Sequence, residues 1–129
     1  MTAVTESNAP TAEALNQRAL DLLAAGKAAE AVGSFRAAIA AGPENAEANI
    51  EAHHGLVRAL RDAGQFEQSI AAALALTAIT PADPLAHTAL SISLQRAGHV
   101  PQAEAAAARA RILEWKMQLQ SPAAEDSLL

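Results

Sequence analysis

Three Ala-Gly pairs, each placed shortly after a leucine, constrain the fold of this chain more than any other feature. The pairs are Ala25-Gly26, Ala63-Gly64 and Ala97-Gly98, and the leucines are Leu22, Leu60 and Leu94. The glycines are 38 and 34 residues apart, and Pro43 and Pro81 close the first two units. A near-constant period of this length is typical of stacked structural repeats, so we predict three repeated units.

The composition indicates that these units are helical. Alanine accounts for 36 and leucine for 15 of the 129 residues, whereas β-branched and aromatic residues are scarce. Because alanine and leucine are strong helix formers, we predict an all-α fold. Glycine suits the left-handed position that closes a helix, and proline cannot continue one. The predicted helices are one ending near Gly26, four at about 28–41, 46–63, 66–79 and 84–97, and one starting near Pro101.

The longer first interval predicts one additional helical turn in the second unit. We place this turn at residues 46–49, at the start of the third helix, with Asn45 as its N-cap. Residues 1–11 and 120–129 lack periodicity, so we expect disordered tails on either side of a single domain at 12–119.

The chain resembles the tetratricopeptide repeat family over nearly all of this domain. The first unit carries the match at Leu15, Ala19, Leu22, Gly26, Ala31, Phe35, Ala38 and Pro43. The second unit departs from the family by placing Ser69, Ala73 and Leu76 at the small, aromatic and small positions of its second helix. The resemblance implies an α-solenoid of three helix-turn-helix repeats, about 12–45, 46–83 and 84–117, with a long C-terminal helix.

The sequence favours a binding protein over an enzyme. It contains no glycine-rich phosphate loop, no HExxH motif and no nucleophile elbow. His53 and His87 stand where the family often has an aromatic residue, and Glu51 with His54 shares a helix face. These histidines could belong to a metal site, or they could be half-buried rings that replace aromatic residues. We favour the second interpretation and expect no cofactor or metal. We therefore expect a non-enzymatic protein.

The resemblance also implies that the first helix of each unit lines a concave groove that binds a protein or peptide. The side chains expected there are Asn16, Leu20, Leu23, His54, Arg58, Arg61, Thr88, Ile92, Gln95 and Arg96. Arginine forks bind carboxylates and aliphatic side chains bind apolar anchors, so we expect an acidic and apolar ligand. The alternative is that Arg61 and Arg96 neutralise nearby acids such as Asp62 on a solvated surface.

The last predicted helix carries two apolar stripes on nearly opposite sides. One contains Ala105, Ala108, Ile112, Trp115 and Leu119, and the other contains Ala106, Ala110, Leu113 and Met117. One stripe must pack on the third unit, and we expect the other to be covered where a further unit would otherwise stack. The C-terminal tail, a second copy forming a homodimer through Ile112, Trp115 and Leu119, and a foreign partner are the three candidates.

Charge and composition narrow the remaining functional classes. Nine basic against 14 acidic residues give a net charge of −5, which disfavours nucleic-acid binding. There is no cysteine, no apolar stretch long enough to span a bilayer, and no secretion signal in residues 1–17, so we expect a cytoplasmic protein. We expect an adaptor, scaffold or assembly factor; a self-assembling structural protein and a regulatory subunit of an enzyme complex are the alternatives.

Overall fold

A computed structural model describes residues 9–44 and 46–120, and within them the chain forms six α-helices and no strand. The helices are α1 (Ala12–Ala24), α2 (Ala28–Ala40), α3 (Glu47–Asp62), α4 (Phe66–Ile79), α5 (Pro84–Arg96) and α6 (Val100–Leu119). The predicted all-α repeat fold is confirmed, and each predicted helix limit lies within two residues of the observed one. Apart from residues 9–11 and 120, the predicted tails lie outside the described residues, as does Asn45.

The helices form three antiparallel pairs that stack in chain order. Each helix packs on the next one, and in addition α1 contacts α3 and α3 contacts α5. The first helices of the three pairs therefore lie side by side. None of the helices in the described ranges combines the length and hydropathy needed to cross a membrane.

Glycine closes the first helix of every pair in the same way. Gly26, Gly64 and Gly98 have φ values of +78°, +77° and +89°, the left-handed region that other residues avoid. In the first turn the Gly26 amide donates to the Leu23 carbonyl at 3.1 Å and the Lys27 amide to the Leu22 carbonyl at 2.9 Å. The same two bonds recur in the other turns, so the three Ala-Gly pairs are three copies of one helix-capping motif.

The additional turn of the second repeat is held by a buried asparagine. Asn49 lies inside α3, and its Nδ2 donates to the Ile39 carbonyl near the end of α2 at 2.8 Å. The positions corresponding to Asn49 in the other repeats, Thr11 and Asp83, are N-caps whose side chains accept amide bonds from α1 and α5. Because α3 starts earlier than its counterparts, Asn49 is free of a capping role and ties α3 to the preceding repeat.

A large and a small residue meet at the interface between the first two repeats. Phe35 of α2 is fully buried, and its ring lies so close to Gly55 of α3 that a Cβ there would overlap it. Ala31, Ala38, Ala52 and Leu60 complete this part of the first core cluster. The absence of a side chain at Gly55 is thus what lets the aromatic ring enter the interface.

The interface between the second and third repeats is built from smaller residues. The positions that correspond to Phe35 and Gly55 are Ala73 and Ala89, and both belong to a second, smaller cluster without an aromatic ring. Beside this cluster α4, α5 and α6 leave an open depression of about 500 Å³. Its lining consists of Ile70, Leu74, His87, Leu90, Leu94, Gln102, Ala105 and Ala106. The second interface therefore has smaller side chains at this pair of positions than the first and contains no aromatic ring there.

Candidate functional site

The first helices present three rows of corresponding side chains. Counted from the three turn glycines, the rows are Asn16, His54 and Thr88; Leu20, Arg58 and Ile92; and Leu23, Arg61 and Gln95. Since α1 lies beside α3 and α3 beside α5, each row runs across the stack. Nine of the ten predicted groove residues belong to these rows, and Arg96 follows Gln95.

The structure brings five predicted residues together in one cleft of about 500 Å³ between α1 and α3. The cleft is lined by Asn16, Leu20, Leu23, Glu51, His54, Gly55 and Arg58. Leu20 is 43% exposed, so its side chain is available to a ligand. Gly55 was not among the predicted residues. Its lack of a side chain makes room for the Phe35 ring and for the cleft, and only the packed structure shows the contact with Phe35.

Asn16 is the buried polar group of this cleft. Its side chain is only 6% exposed, and its Nδ2 donates to Glu51 Oε2 at 3.4 Å. Its Oδ1 is buried and accepts no hydrogen bond from the described residues. A buried carbonyl oxygen without a donor is unfavourable. This one has almost no accessible surface in the unliganded chain, so a donor in the cleft could reach it only after the Asn16 side chain turns toward the cleft.

The three predicted arginines occupy different environments at the C-terminal ends of α3 and α5. Arg58 is exposed and lies 3.8 Å from Asp62, one helical turn away, while the Arg96 guanidinium stacks 5.5 Å above the centroid of the Phe66 ring. Arg61 is half-buried, and its Nη1 makes no hydrogen bond within the described chain. The alternative interpretation has Arg61 and Arg96 neutralising acids such as Asp62. The structure places Asp62 in an ion pair with Arg58, and its charge also acts on Arg61.

The charges of these arginines act on one another. Burial lowers the pKa of the Arg61 guanidinium, Asp62 partly offsets this effect, and the positive charges of Arg96 and Arg58 add to the lowering. Arginine remains protonated in spite of such shifts. Asp62 lies beside Arg58 and acts on Arg61, and Glu51 lines the cleft with Arg58, so the three guanidinium groups outnumber these two carboxylates.

The histidines lie in half-buried positions. His54 lines the cleft, and burial lowers its pKa while Asp83 partly offsets the effect. Burial also lowers the pKa of His53, against the charge of Glu44. His87 Nε2 lies 2.9 Å from the Pro81 carbonyl oxygen, and His99, which the sequence did not single out, lies 2.9 Å from Glu67. In the described part of the chain no three His, Asp or Glu residues are grouped as a metal site.

The predicted residues of the third repeat lie beyond the cleft. Ile92 is 40% exposed, Thr88 is half-buried, and Gln95 is exposed. They continue the three rows across α5, so they extend the first-helix surface without lining the cleft itself.

Helix α6 presents a separate exposed surface. Ala106, Ala110 and Leu113 of one predicted stripe are buried, whereas Ile112, Trp115 and Leu119 of the other are 44%, 61% and 47% exposed. The expectation that a further repeat would cover this exposed stripe needs correction. The face that the second repeat covers on α2 includes Val32 and Ile39, and the corresponding residues of α6 are the polar Glu104 and Arg111.

Comparison with known proteins supports the repeat assignment. A family model described as tetratricopeptide repeat matches residues 22–92, which is more than half of the chain. A search of curated proteins found no match. The matched segment runs from the end of α1 through most of α5 and includes the first two glycine turns. The chain therefore belongs to the tetratricopeptide repeat family.

Proposed function

We propose that this protein is a non-enzymatic adaptor, scaffold or assembly factor that binds an acidic and apolar segment of another protein along α1, α3 and α5. Tetratricopeptide repeats generally mediate protein–protein interactions, and the family is typically non-enzymatic. The proposal rests on the cleft between α1 and α3 and on the positive charge beside it.

The single observation that carries the proposal is the unpaired Oδ1 of Asn16. A peptide in extended conformation exposes backbone N–H groups, and one of them would satisfy this acceptor once rotation of the Asn16 side chain brings the buried Oδ1 to the cleft surface. The Asn16 Nδ2 lies 3.4 Å from Glu51 Oε2, a long hydrogen bond that permits this rotation. A peptide backbone is the simplest donor that fits a cleft of this size.

The walls of the cleft favour an apolar side chain beside that backbone contact. Leu20 and Leu23 line one side, and Gly55 leaves room opposite them. A leucine or similar side chain would remove Leu20 from water, which stabilises binding by about 25 cal/mol for each Å² of apolar surface buried.

The arginines favour carboxylates next to the apolar residue. Arg58 lines the cleft, and Arg61 and Arg96 lie along the direction that leads to the third repeat. Carboxylates would pair with the unused guanidinium donors and reduce the mutual repulsion of the three charges. An aspartate or glutamate a few residues from the apolar anchor fits this arrangement.

A displayed library of random 12-residue peptides tests the proposal directly. We expect selection on the wild-type protein to enrich sequences that combine Asp or Glu with Leu, Ile or Phe. The cleft variants are Asn16→Ala, Leu20→Asp and the triple variant R58E/R61E/R96E, and each should lose the selected peptides. A matched control, R18E/K27E/R36E, changes the net charge equally at exposed positions outside the cleft and should retain them.

Two results would contradict this function. The first is that the selected peptides show no enrichment in Asp or Glu and bind the triple variant as well as its control. The arginines would then have no role in binding. The second is that the selected peptides bind Leu20→Asp with the same affinity as they bind the wild type. The cleft would then not be the binding site. Circular dichroism of each variant confirms that the helices remain folded.

A further inference from the structure

The apolar stripe on α6 faces away from the rest of the molecule. Its members are Pro101, Ala105, Ala108, Ile112, Trp115 and Leu119, which recur at helical spacing opposite the buried Ala106, Ala110 and Leu113. Leu113 is the last buried residue, and α6 continues through Leu119 past the point where the corresponding helix α4 has ended. An exposed tryptophan at this position marks a surface suited to a partner.

The stripe changes in size along the helix. Its N-terminal half consists of proline and alanine, and its C-terminal half consists of isoleucine, tryptophan and leucine. When two copies of such a helix pack antiparallel, the large half of each meets the small half of the other. One register places Trp115 opposite Ala105 and Ile112 opposite Ala108 of the second copy, with Leu119 opposite Pro101. A parallel arrangement would set large against large and leave the alanines unfilled.

The charged edge nearest to Trp115 is also self-complementary in this register. Around the helix Glu104 and Arg111 lie about 20° and 40° from Trp115, whereas Arg109 lies about 120° away. Because antiparallel helices bring the same edge of each copy together, Glu104 of one copy lies on the same edge as Arg111 of the other, twice by symmetry. The two positions are five residues apart along the axis, about 7.5 Å, a distance that two long side chains can span. Among the described residues neither side chain forms an ion pair within the monomer.

From this match of size and charge we infer that a second copy of this chain covers the stripe, through a two-fold antiparallel pairing of α6. The depression lined by Leu74 and Ala105 adjoins the small end of the stripe, so the indole of Trp115 from the second copy enters it. Each copy supplies one end of α6 with large side chains and one depression that receives the large side chains of the other copy. Both sites are filled in a dimer, so no further copy is added. The first-helix surface takes no part, and the dimer is independent of the proposed peptide binding.

Sedimentation of the wild-type protein from about 1 to 500 μM tests the pairing, since a dimer that forms by mass action grows with concentration. We expect a shift from monomer to dimer within this range. Trp115→Asp should remain monomeric, and its melting temperature at low concentration should equal that of the wild type because the side chain is exposed in the monomer. Arg36→Glu on α2, an exposed charge outside the stripe, is the control and should dimerise normally.

A charge exchange tests the register itself. E104R alone and R111E alone should each weaken self-association by roughly tenfold or more, because attraction at both symmetric pairs becomes repulsion. Mixing the two variants should restore a dimer that contains one chain of each, and the double variant E104R/R111E should again pair with itself. This pattern is expected only when residues 104 and 111 of opposite copies lie within reach of each other along the shared edge.

A wild type that stays monomeric at 500 μM overturns the inference. If it becomes dimeric only after removal of residues 121–129, the tail covers the stripe in the intact chain, and the inference is equally wrong. A dimer that Trp115→Asp leaves unchanged, or one in which the mixed charge variants fail to recombine, places the interface elsewhere.

Discussion

Replacing Gly55 by alanine should have opposite effects on stability in two versions of this protein. In the wild type a Cβ at position 55 would lie 2.8 Å from Cδ1 of the Phe35 ring and closer still to Cε1 and Cζ. Phe35 is fully buried, so its ring has little space into which it can move. In a Phe35→Ala background the ring is absent, and the pair becomes alanine on alanine, as at Ala73 and Ala89.

The magnitudes follow from two opposing effects. Glycine within a helix is less favourable than alanine by about 0.5–1 kcal/mol, so Gly55→Ala gains that amount wherever the new methyl group fits. Overpacking a buried contact costs about 1–3 kcal/mol, which outweighs the gain in the wild type. We therefore expect a net loss of about 1–2 kcal/mol in the wild type and a net gain of about 0.5–1 kcal/mol when Phe35 has been removed.

Urea unfolding followed by circular dichroism of the wild type, the two single variants and the double variant measures both effects. Phe35→Ala alone should cost about 3–5 kcal/mol, and Phe35→Leu provides a milder background if too little folded protein remains. Gly33→Ala is the matched control, because a Cβ there would have no atom of the described chain within 4 Å. It should stabilise both backgrounds by a similar amount. If Gly55→Ala changes stability with the same sign in both backgrounds, the ring does not occupy the space above Gly55.

Three further predictions concern the packing and the histidines. Ala31 is fully buried at the helix crossing of the first repeat, so Ala31→Leu should lower stability by about 1–3 kcal/mol in a thermal melt; an unchanged melting temperature would place the crossing elsewhere. Asn49→Ala removes the donor to the Ile39 carbonyl and should cost about 1–3 kcal/mol in urea unfolding, which a wild-type midpoint would contradict. Burial lowers the pKa values of His53 and His54 from 6.5, so the folded protein binds fewer protons than the unfolded chain. Their contribution to stability is present above pH 6.5 and decreases as the pH falls below it. Melting temperatures between about pH 7.5 and 5.5 should therefore decline more in the wild type than in His53→Gln/His54→Gln, and equal declines would refute this assignment.

The helix limits were predictable from the sequence because local residues determine them. Gly26, Gly64 and Gly98 take a backbone conformation that other residues avoid, and Pro84 suits the first turn of α5. These preferences depend on the residue itself and hardly on the rest of the fold. The additional turn before Asn49 was predictable for a related reason, since the interval between glycines counts residues directly.

Contacts between repeats were less predictable, because they depend on how closely two helices approach. The sequence placed Phe35 in the core but did not identify Gly55 as its neighbour 20 positions later. It also could not decide which stripe of α6 would pack, since both are apolar. In the structure Ala106 and Ala110 lie in the packed stripe, where small side chains allow a close approach to α5.

The partners of the charged side chains could not be predicted from the sequence either. Arg58, Arg61 and Arg96 were all expected on one surface, but the sequence does not indicate that Arg58 takes Asp62 or that Arg96 stacks on Phe66. These choices depend on side-chain rotamers and on the neighbouring helix. They determine which guanidinium groups are available to a carboxylate.

The contrast between the two repeat interfaces has a consequence for how the molecule opens. In stacked repeats each interface contributes separately to stability, so we expect the boundary with the smaller side chains Ala73 and Ala89 to separate first. Amide hydrogens of α5 and α6 should then exchange with solvent sooner than those of α2 and α3. A ligand that spans Arg58 and Arg96 would bridge this boundary, and it would slow exchange mainly in the third repeat, far from the cleft that anchors it.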